Sequence, residues 1–226
     1  MDWFDVLQSV ISGVISGVAV GIVVYWLDER RAKRERRLSD YRIASSWENT
    51  ETKAILRNFD LTRTNLSGCK FAKANLEGSI LAGADLLGAN FQGANLRFVK
   101  FCGATMVGVK LAGANANNAD FSKVIIRKKL DPETNFWSDF SKISLKAAKF
   151  TKARISKVMF AGASLRGTDF SRAIVSDCDF TGADFNDSNW KRVKSVENCI
   201  WKDVKFAKQE NFPPAVWKEI QRQNGN

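Results

Sequence analysis

Large apolar side chains recur every fifth residue from Leu61 to Trp190, a period too short for a helix pair and too regular for an ordinary strand. Leu61, Leu66, Phe71, Leu76, Leu81, Leu86, Phe91, Leu96, Phe101, Met106, Leu111, Ala116, Phe121 and Ile126 fall on one frame. Phe140, Leu145, Phe150, Ile155, Phe160, Leu165, Phe170, Val175, Phe180, Phe185 and Trp190 fall on a second frame, shifted by one residue. Two positions before the large residue stands a small one, clearest at Ala84, Ala89, Ala94, Ala104, Ala114, Ala148, Ala153, Ala163 and Ala173. One large and one small apolar side chain per five residues is an instruction to wind.

The run Gly83-Ala84-Asp85-Leu86-Leu87-Gly88-Ala89-Asn90-Phe91 resembles the pentapeptide-repeat family, whose unit reads Ala-Asp/Asn-Leu-x-x. The resemblance covers well over half the chain. It implies an all-β solenoid, a right-handed quadrilateral β-helix in which each pentapeptide forms one side of a square and four make a coil. The central Leu or Phe and the small residue then point inward, and the other three positions face water. Residues twenty apart should stack, with Phe101 over Phe121 and with Phe140, Phe160 and Phe180 in one column. At a strand spacing of about 4.8 Å, roughly six turns make a rod on the order of 30 Å long. Ala116 and Trp190 depart from the pattern and are expected to leave a small cavity and a bulge, at a cost of about 1 to 3 kcal/mol each.

Such a solenoid needs covered ends. Asn211-Phe212-Pro213-Pro214-Ala215-Val216-Trp217-Lys218-Glu219-Ile220 has prolines suited to a helix start and an apolar face of Val216, Trp217 and Ile220, so a capping helix and tail are expected over 207–226. The other expected boundaries are a transmembrane helix over 1–28, a basic juxtamembrane helix and stalk over 29–58, and the β-helix over 59–206, interrupted by a loop at 127–139.

The chain contains no histidine. That removes Ser/His/Asp and Cys/His nucleophile pairs, His-based zinc sites and the commonest general base. Cys69, Cys102, Cys178 and Cys199 show no C-x-x-C spacing, and Cys69 and Cys178 hold the small inward position as compact apolar fillers. Asp85, Asp120, Asp169, Asp179 and Asp184 stand where the repeat itself asks for Asp or Asn. No catalytic residue, metal site or cofactor is expected.

Between Asp5 and Asp28 lie 22 residues without a charge, Val6 to Leu27. At 1.5 Å per helical residue they span the roughly 30 Å hydrocarbon layer. Trp3, Tyr25 and Trp26 stand where interfacial aromatic belts form. Asp2 and Asp5 precede the segment and the basic cluster follows it, the reverse of a cleaved signal. Arg30, Arg31, Lys33, Arg34, Arg36 and Arg37 place that flank in the cytoplasm, with the N-terminus outside. The expected location is a bacterial inner or photosynthetic membrane, and the same cluster suits anionic lipid head groups. Ser9, Gly13, Gly17 and Gly21 form one small-residue stripe on a helix, so a homo-oligomer is expected.

The net charge of +11 is uneven. Phe140 to Phe206 carries thirteen Lys/Arg against seven Asp/Glu, whereas Phe59 to Ile126 carries seven against four. With a twenty-residue coil, Lys152, Arg172 and Arg192 form one column and Lys146 and Arg166 another, so like charges stack. Lys128, Lys129, Phe136 and Trp137 lie on the loop that interrupts the repeats, and loops on rigid scaffolds often carry binding residues. These nine residues are the candidate partner-binding set. Relatives in the family that act on DNA gyrase mimic DNA with acidic surface, and a basic rod is a poor DNA mimic; direct nucleic-acid binding matches in sign, but the sequence offers no reading motif and a membrane tether would restrict access, so neither gyrase nor nucleic acid is the expected partner. The expectation is a membrane-anchored, self-associating scaffold that binds a protein partner. The alternative is an oligomeric membrane-perturbing effector of antiviral or toxin-like kind.

Overall fold

A computed structural model of the chain describes residues 3–46, 56–126, 137–206 and 209–225, with side chains from residue 22 onward. Two compact units result, Met1–Ser39 and Asp40–Asn226. The first unit consists of helix α1 (Trp3–Ser45) up to Ser39. Among the described residues, no helix is long and apolar enough to cross a membrane. Most of the span expected over 1–28, including Ser9, Gly13, Gly17 and Gly21, lies outside the described side chains.

The second unit is the square solenoid. One pentapeptide shows how the winding is enforced. The Leu81 amide donates to Lys100 O on the next coil (2.8 Å), and the Gly83 amide to Cys102 O (2.9 Å). The Ala84 amide then donates back to Leu81 O (3.1 Å), closing a turn, and the Asp85 amide reaches Thr64 O on the preceding coil (2.9 Å). Each side thus spends its backbone groups on the coils above and below, as burial requires. Parallel bridges run Asp60–Ile80–Lys100–Asp120 and onward, a step of twenty residues. Extended pairs occur at β1 (Ile125–Ile126), β2 (Ser138–Asp139), β3 (Arg154–Ser156), β4 (Val158–Met159), β5 (Ile174–Ser176) and β6 (Ser195–Glu197). They form the parallel ladders β1-β3-β5-β6 and β2-β4.

Asp and Asn ahead of the large residue serve the corner. The side-chain Oδ1 of Asp85, Asp120, Asp169, Asp179 and Asp184 accepts from the backbone amide two residues on, at 2.9 to 3.1 Å. This is the Asx turn that favours these residue types at bends. The third residue of each turn has positive φ, which glycine adopts without penalty. At Gly78 (φ 73°) a methyl group would also collide with the side chain of Asn58. Ala147 holds the same conformation (φ 55°) on an exposed corner. Ala147→Gly is expected to stabilise the solenoid by about 0.5–1 kcal/mol in chemical denaturation, because relief of left-handed strain exceeds the gain in unfolded-chain entropy.

Seven levels stack, one more than six, because Leu56 begins the core and Trp201 and Phe206 extend it. One side presents Leu61, Leu81, Phe101, Phe121, Phe150, Phe170 and Trp190, and the opposite side Phe71, Phe91, Leu111, Phe140, Phe160, Phe180 and Trp201. Phe101 lies 4.8 Å above Phe121, and the Phe140–Phe160–Phe180 column repeats at 5.2 and 5.1 Å. Rings from the two sides meet edge to face, as Phe91 meets Phe101 at 6.1 Å. The remaining sides are mostly aliphatic, with buried Ala116 between Leu96 and Leu145 in its column.

Two irregularities are absorbed differently. Asp120 pairs with Lys149 and Lys110 with Asp139, a step of 29 residues, so nine more residues separate these partners than elsewhere and the stack on either side stays in register. Trp190 does not distort its own side; it lies flat on Phe170 at 4.2 Å. The bulge comes four residues later. Lys194 still donates to Ala173 O (2.8 Å), but Ile174 now pairs with Ser195, so two residues oppose one.

Both ends of the solenoid are closed by side chains that stand in for a missing coil. At the N-terminal end Asp40 and Ala44 on α1 are buried, and the Asp40 carboxylate accepts from the Asp60 amide (2.9 Å). At the other end, helix α2 (Pro214–Asn224) buries Val216 and Ile220 and stops at Gly225 in the left-handed region (φ 77°). Gln223 accepts from the Trp201 amide (2.7 Å) and donates to Cys199 O (3.0 Å). Asn224 accepts from the Asp203 amide (2.7 Å) and donates to Trp201 O (2.7 Å). Phe212, from the turn before α2, plugs the core between Phe185, Trp190 and Trp201.

Candidate interaction surface

The left-handed corners place basic residues in a line. Lys152, Arg172 and Arg192 have φ of 61°, 60° and 61°, and all three are exposed. The Lys152 amide donates to Ser171 O and the Arg172 amide to Arg192 O, which sets the three on successive coils. Lys123 (φ 59°) extends the line, since its amide donates to Thr151 O across the insertion. Twenty-residue spacing alone misses Lys123; a step of 29 across the break finds it. None of the four forms an ion pair among the described residues. Arg172, Lys191 and Arg192 border a shallow depression floored by Thr151, Ser171 and Asn189, whose hydroxyl and amide groups already donate to the Asp169 carboxylate, so only the cations at its rim are open to a partner.

The second predicted column behaves otherwise. Arg166 stands on the coil above Lys146, but Asp184 lies 3.5 Å from its guanidinium, so the expected stack of like charges is relieved there. A neighbouring ladder, Lys100–Asp120–Lys149–Asp169, alternates in sign. Burial opposes ionisation of Asp120, yet hydrogen bonds from Ser122 and Cys102 and the charge of Lys149 outweigh it and hold the carboxyl below its ordinary value. Burial and the bond to Asp120 push the Cys102 thiol up to about 11. The charge of this ladder is therefore balanced, whereas the corner carrying Lys152, Arg172 and Arg192 has no such counter-charge in ion-pair contact among the described residues.

Of the loop residues singled out from the sequence, Lys128, Lys129 and Phe136 lie outside the described residues, and Trp137 is half-buried where the solenoid resumes. On α1, Arg30, Arg31, Lys33, Arg34 and Arg36 are exposed and Arg37 is half-buried. Lys33 pairs with Glu29 at 2.6 Å, and the Arg30 guanidinium lies 3.4 Å from the centre of the Trp26 ring. Just ahead of this cluster, Ile22, Val23, Val24, Tyr25, Trp26 and Leu27 are each 49 to 71% exposed. At 100° per residue they point to every side of the helix. Among the described residues no group of three or more His, Cys, Asp or Glu is placed to hold a metal ion.

The family model for pentapeptide repeats matches the chain in eight copies, over residues 52–81, 60–97, 69–107 and 148–187. No curated protein sequence matches it. Among solved structures, the chain is similar to full-length QnrB1, a plasmid-mediated fluoroquinolone resistance protein, at 19% identity over 72% of this chain and 85% of that one, with a TM-score of 0.27. HetL, a pentapeptide repeat protein involved in heterocyst differentiation regulation in Nostoc sp. strain PCC 7120, is 21% identical over 73% and 92%, with a TM-score of 0.18. Rfr23 from Cyanothece 51142 is 16% identical over 67% and 83%, with a TM-score of 0.20.

Proposed function

We propose that this pentapeptide-repeat protein is a non-enzymatic, single-pass membrane-anchored scaffold, whose β-helix offers its basic corner to an acidic protein partner on the cytoplasmic side. The observation that carries the anchor is the outward display of six successive apolar residues, Ile22 to Leu27, around the whole circumference of α1. A helix that buries one face against protein shows a stripe; one that is apolar all round belongs in a core or in lipid. These six end the uncharged run from Val6 to Leu27, and the basic cluster behind it supports a cytoplasmic β-helix and contact with anionic head groups. The stripe of Ser9, Gly13, Gly17 and Gly21 supports self-association of anchors.

Support for a scaffold comes from how the polar side chains are employed. The aspartates that could form a carboxylate array close turns, whereas Lys123, Lys152, Arg172 and Arg192 remain available to a partner. A line of cations one coil apart complements an acidic surface and speeds encounter with it more than it adds affinity.

One experiment tests both parts. Full-length protein is expressed, membranes are washed at alkaline pH, and the detergent extract is used to capture partners, beside Lys152→Glu/Arg172→Glu/Arg192→Glu. The wild type is expected to stay with the membrane pellet, and the triple variant to stay there too while losing its captured protein by tenfold or more, since each reversed contact is worth about 1 kcal/mol or more. Wild-type protein in the wash would refute the anchor, and equal capture by both would refute the corner.

A further inference from the structure

Cys178 and Cys199 hold equivalent places on the last two coils. Asp179 and Ile200 are bridge partners, and the Ile200 amide donates to Cys178 O at 2.9 Å. The two cysteines, each one residue ahead of that pair, therefore stand one above the other. They continue the inward column of Ala89, Val109, Ser138 and Val158. Their separation in sequence is 21 residues, and the β-bulge at Lys194–Ser195 supplies the extra one. Without the bulge Cys178 would face Asn198.

The backbone spacing is within reach of a bond. Neighbouring parallel strands stand about 4.8 Å apart, within the Cα separation of roughly 4.4 to 6.8 Å that a disulfide spans. Both thiols are free, and each donates to a carbonyl of its own strand, Cys178 to Ser176 O (3.1 Å) and Cys199 to Glu197 O (3.3 Å). The neighbouring Cys178 thiol holds Cys199 below its ordinary value, while burial drives Cys178 above it. Cys199 also lines a cleft of about 540 Å³ between the last coil and α2, with Val196, Asn198, Trp201, Glu219 and Gln223. Both cysteines are buried, Cys178 at 1% and Cys199 at 6% exposure, and it is Cys199 that borders this cleft.

We propose that Cys178 and Cys199 form a reversible disulfide that ties the last two coils together. The Cys199 thiolate, having given its proton to water, attacks one sulfur of a small disulfide of the glutathione class. A mixed disulfide forms, and the displaced thiolate takes up a proton. Cys178, passing its proton to the departing small thiolate, then attacks the Cys199 sulfur and releases the second small thiol. Two protein thiols are oxidised to one disulfide, and one small disulfide is reduced to two thiols. An in-register parallel pair keeps its Cβ atoms near the strand spacing, beyond the usual 3.5 to 4.5 Å. Closing the bond draws the coils together, and a disulfide under such strain is readily reduced again. The link would stiffen the coil on which the cap is seated, since Cys199 O accepts from Gln223.

The test uses the full-length protein in detergent, equilibrated with oxidised glutathione below its melting transition, then alkylated and mapped by mass spectrometry. A Cys178–Cys199 linked peptide is expected, removed by dithiothreitol. Proteolytic opening of the C-terminal end should slow on the order of tenfold in the linked form, as a closed loop implies. Cys178→Ala keeps a residue that the column already uses, so it should fold and give only a glutathione adduct on Cys199. The proposal is overturned if Cys178 and Cys199 are both recovered as free thiols after equilibration, or if the linked peptide appears only in denaturant.

Discussion

Phe150→Ala is expected to lower the stability of the solenoid by about 3–5 kcal/mol, the range for emptying a large aromatic from a packed core. Phe150 lies between Phe121 at 4.8 Å and Phe170 at 5.2 Å, both rings nearly parallel to it, and meets Phe160 edge-on at 6.3 Å. Truncation removes ring contacts on two coils at once, each worth about 0.5–1.5 kcal/mol beyond burial. Phe150 also belongs to the first complete coil after the nine-residue insertion, so the cavity opens where the coils on either side of the break must hold together. A repeat protein whose neighbour interface is weakened loses cooperativity, and a single denaturation transition should broaden or split. Phe98→Ala is the matched control: that ring is 48% exposed on a left-handed corner, and its loss should cost under about 1 kcal/mol. Equal effects of the two substitutions would contradict the stacked core.

Gln223→Ala/Asn224→Ala should undo the C-terminal cap. The two amides make four bonds to the last coil, to the amides of Trp201 and Asp203 and the carbonyls of Cys199 and Trp201. At about 1 kcal/mol for each bond lost, docking of α2 weakens by roughly 2–4 kcal/mol. Glu219 organises the cap by accepting from Arg222 (2.6 Å) and Gln223 (2.7 Å). The hydrogen bond from Arg222, joined by that from Gln223, lowers its carboxyl to about 2, so this arrangement should persist well into acid. Once the helix leaves, the terminal coil presents unpaired amides and carbonyls together with Trp201 and Phe212, an open edge that templates further pairing. The double variant should therefore associate end to end as concentration rises, seen by sedimentation as species larger than the wild-type particle. An unchanged melting curve and particle size would show that α2 covers the end without holding it.

The winding is legible in the sequence because each corner is decided within five residues. An Asp or Asn closes the turn, a residue such as Gly78 takes the left-handed conformation, and the large and small residues point inward. For the same reason the aromatic columns follow from counting by twenty, and the aspartates can be assigned to turns. Less legible is everything that depends on where a coil gains residues. Lys123 joins Lys152 only when nine extra residues are left out of the count, and the relief of Arg166 by Asp184 depends on which side chains face each other across a coil. The N-terminal cap escaped the pattern because Asp40 and Ala44 sit on a helix whose own sequence reads as a charged stalk.

The amino-acid sequence by itself determined the solenoid, its inward frame and the apolar run ahead of a basic cluster, since these rest on local periodicity and composition. Tertiary structure decided which groups meet: the amides of Gln223 and Asn224 on a bare edge, the basic corner carried across the insertion, and Cys199 brought over Cys178 by one bulged residue. The physical reason is that a repeat specifies each turn separately, whereas contacts between coils depend on the summed length of all the turns between them.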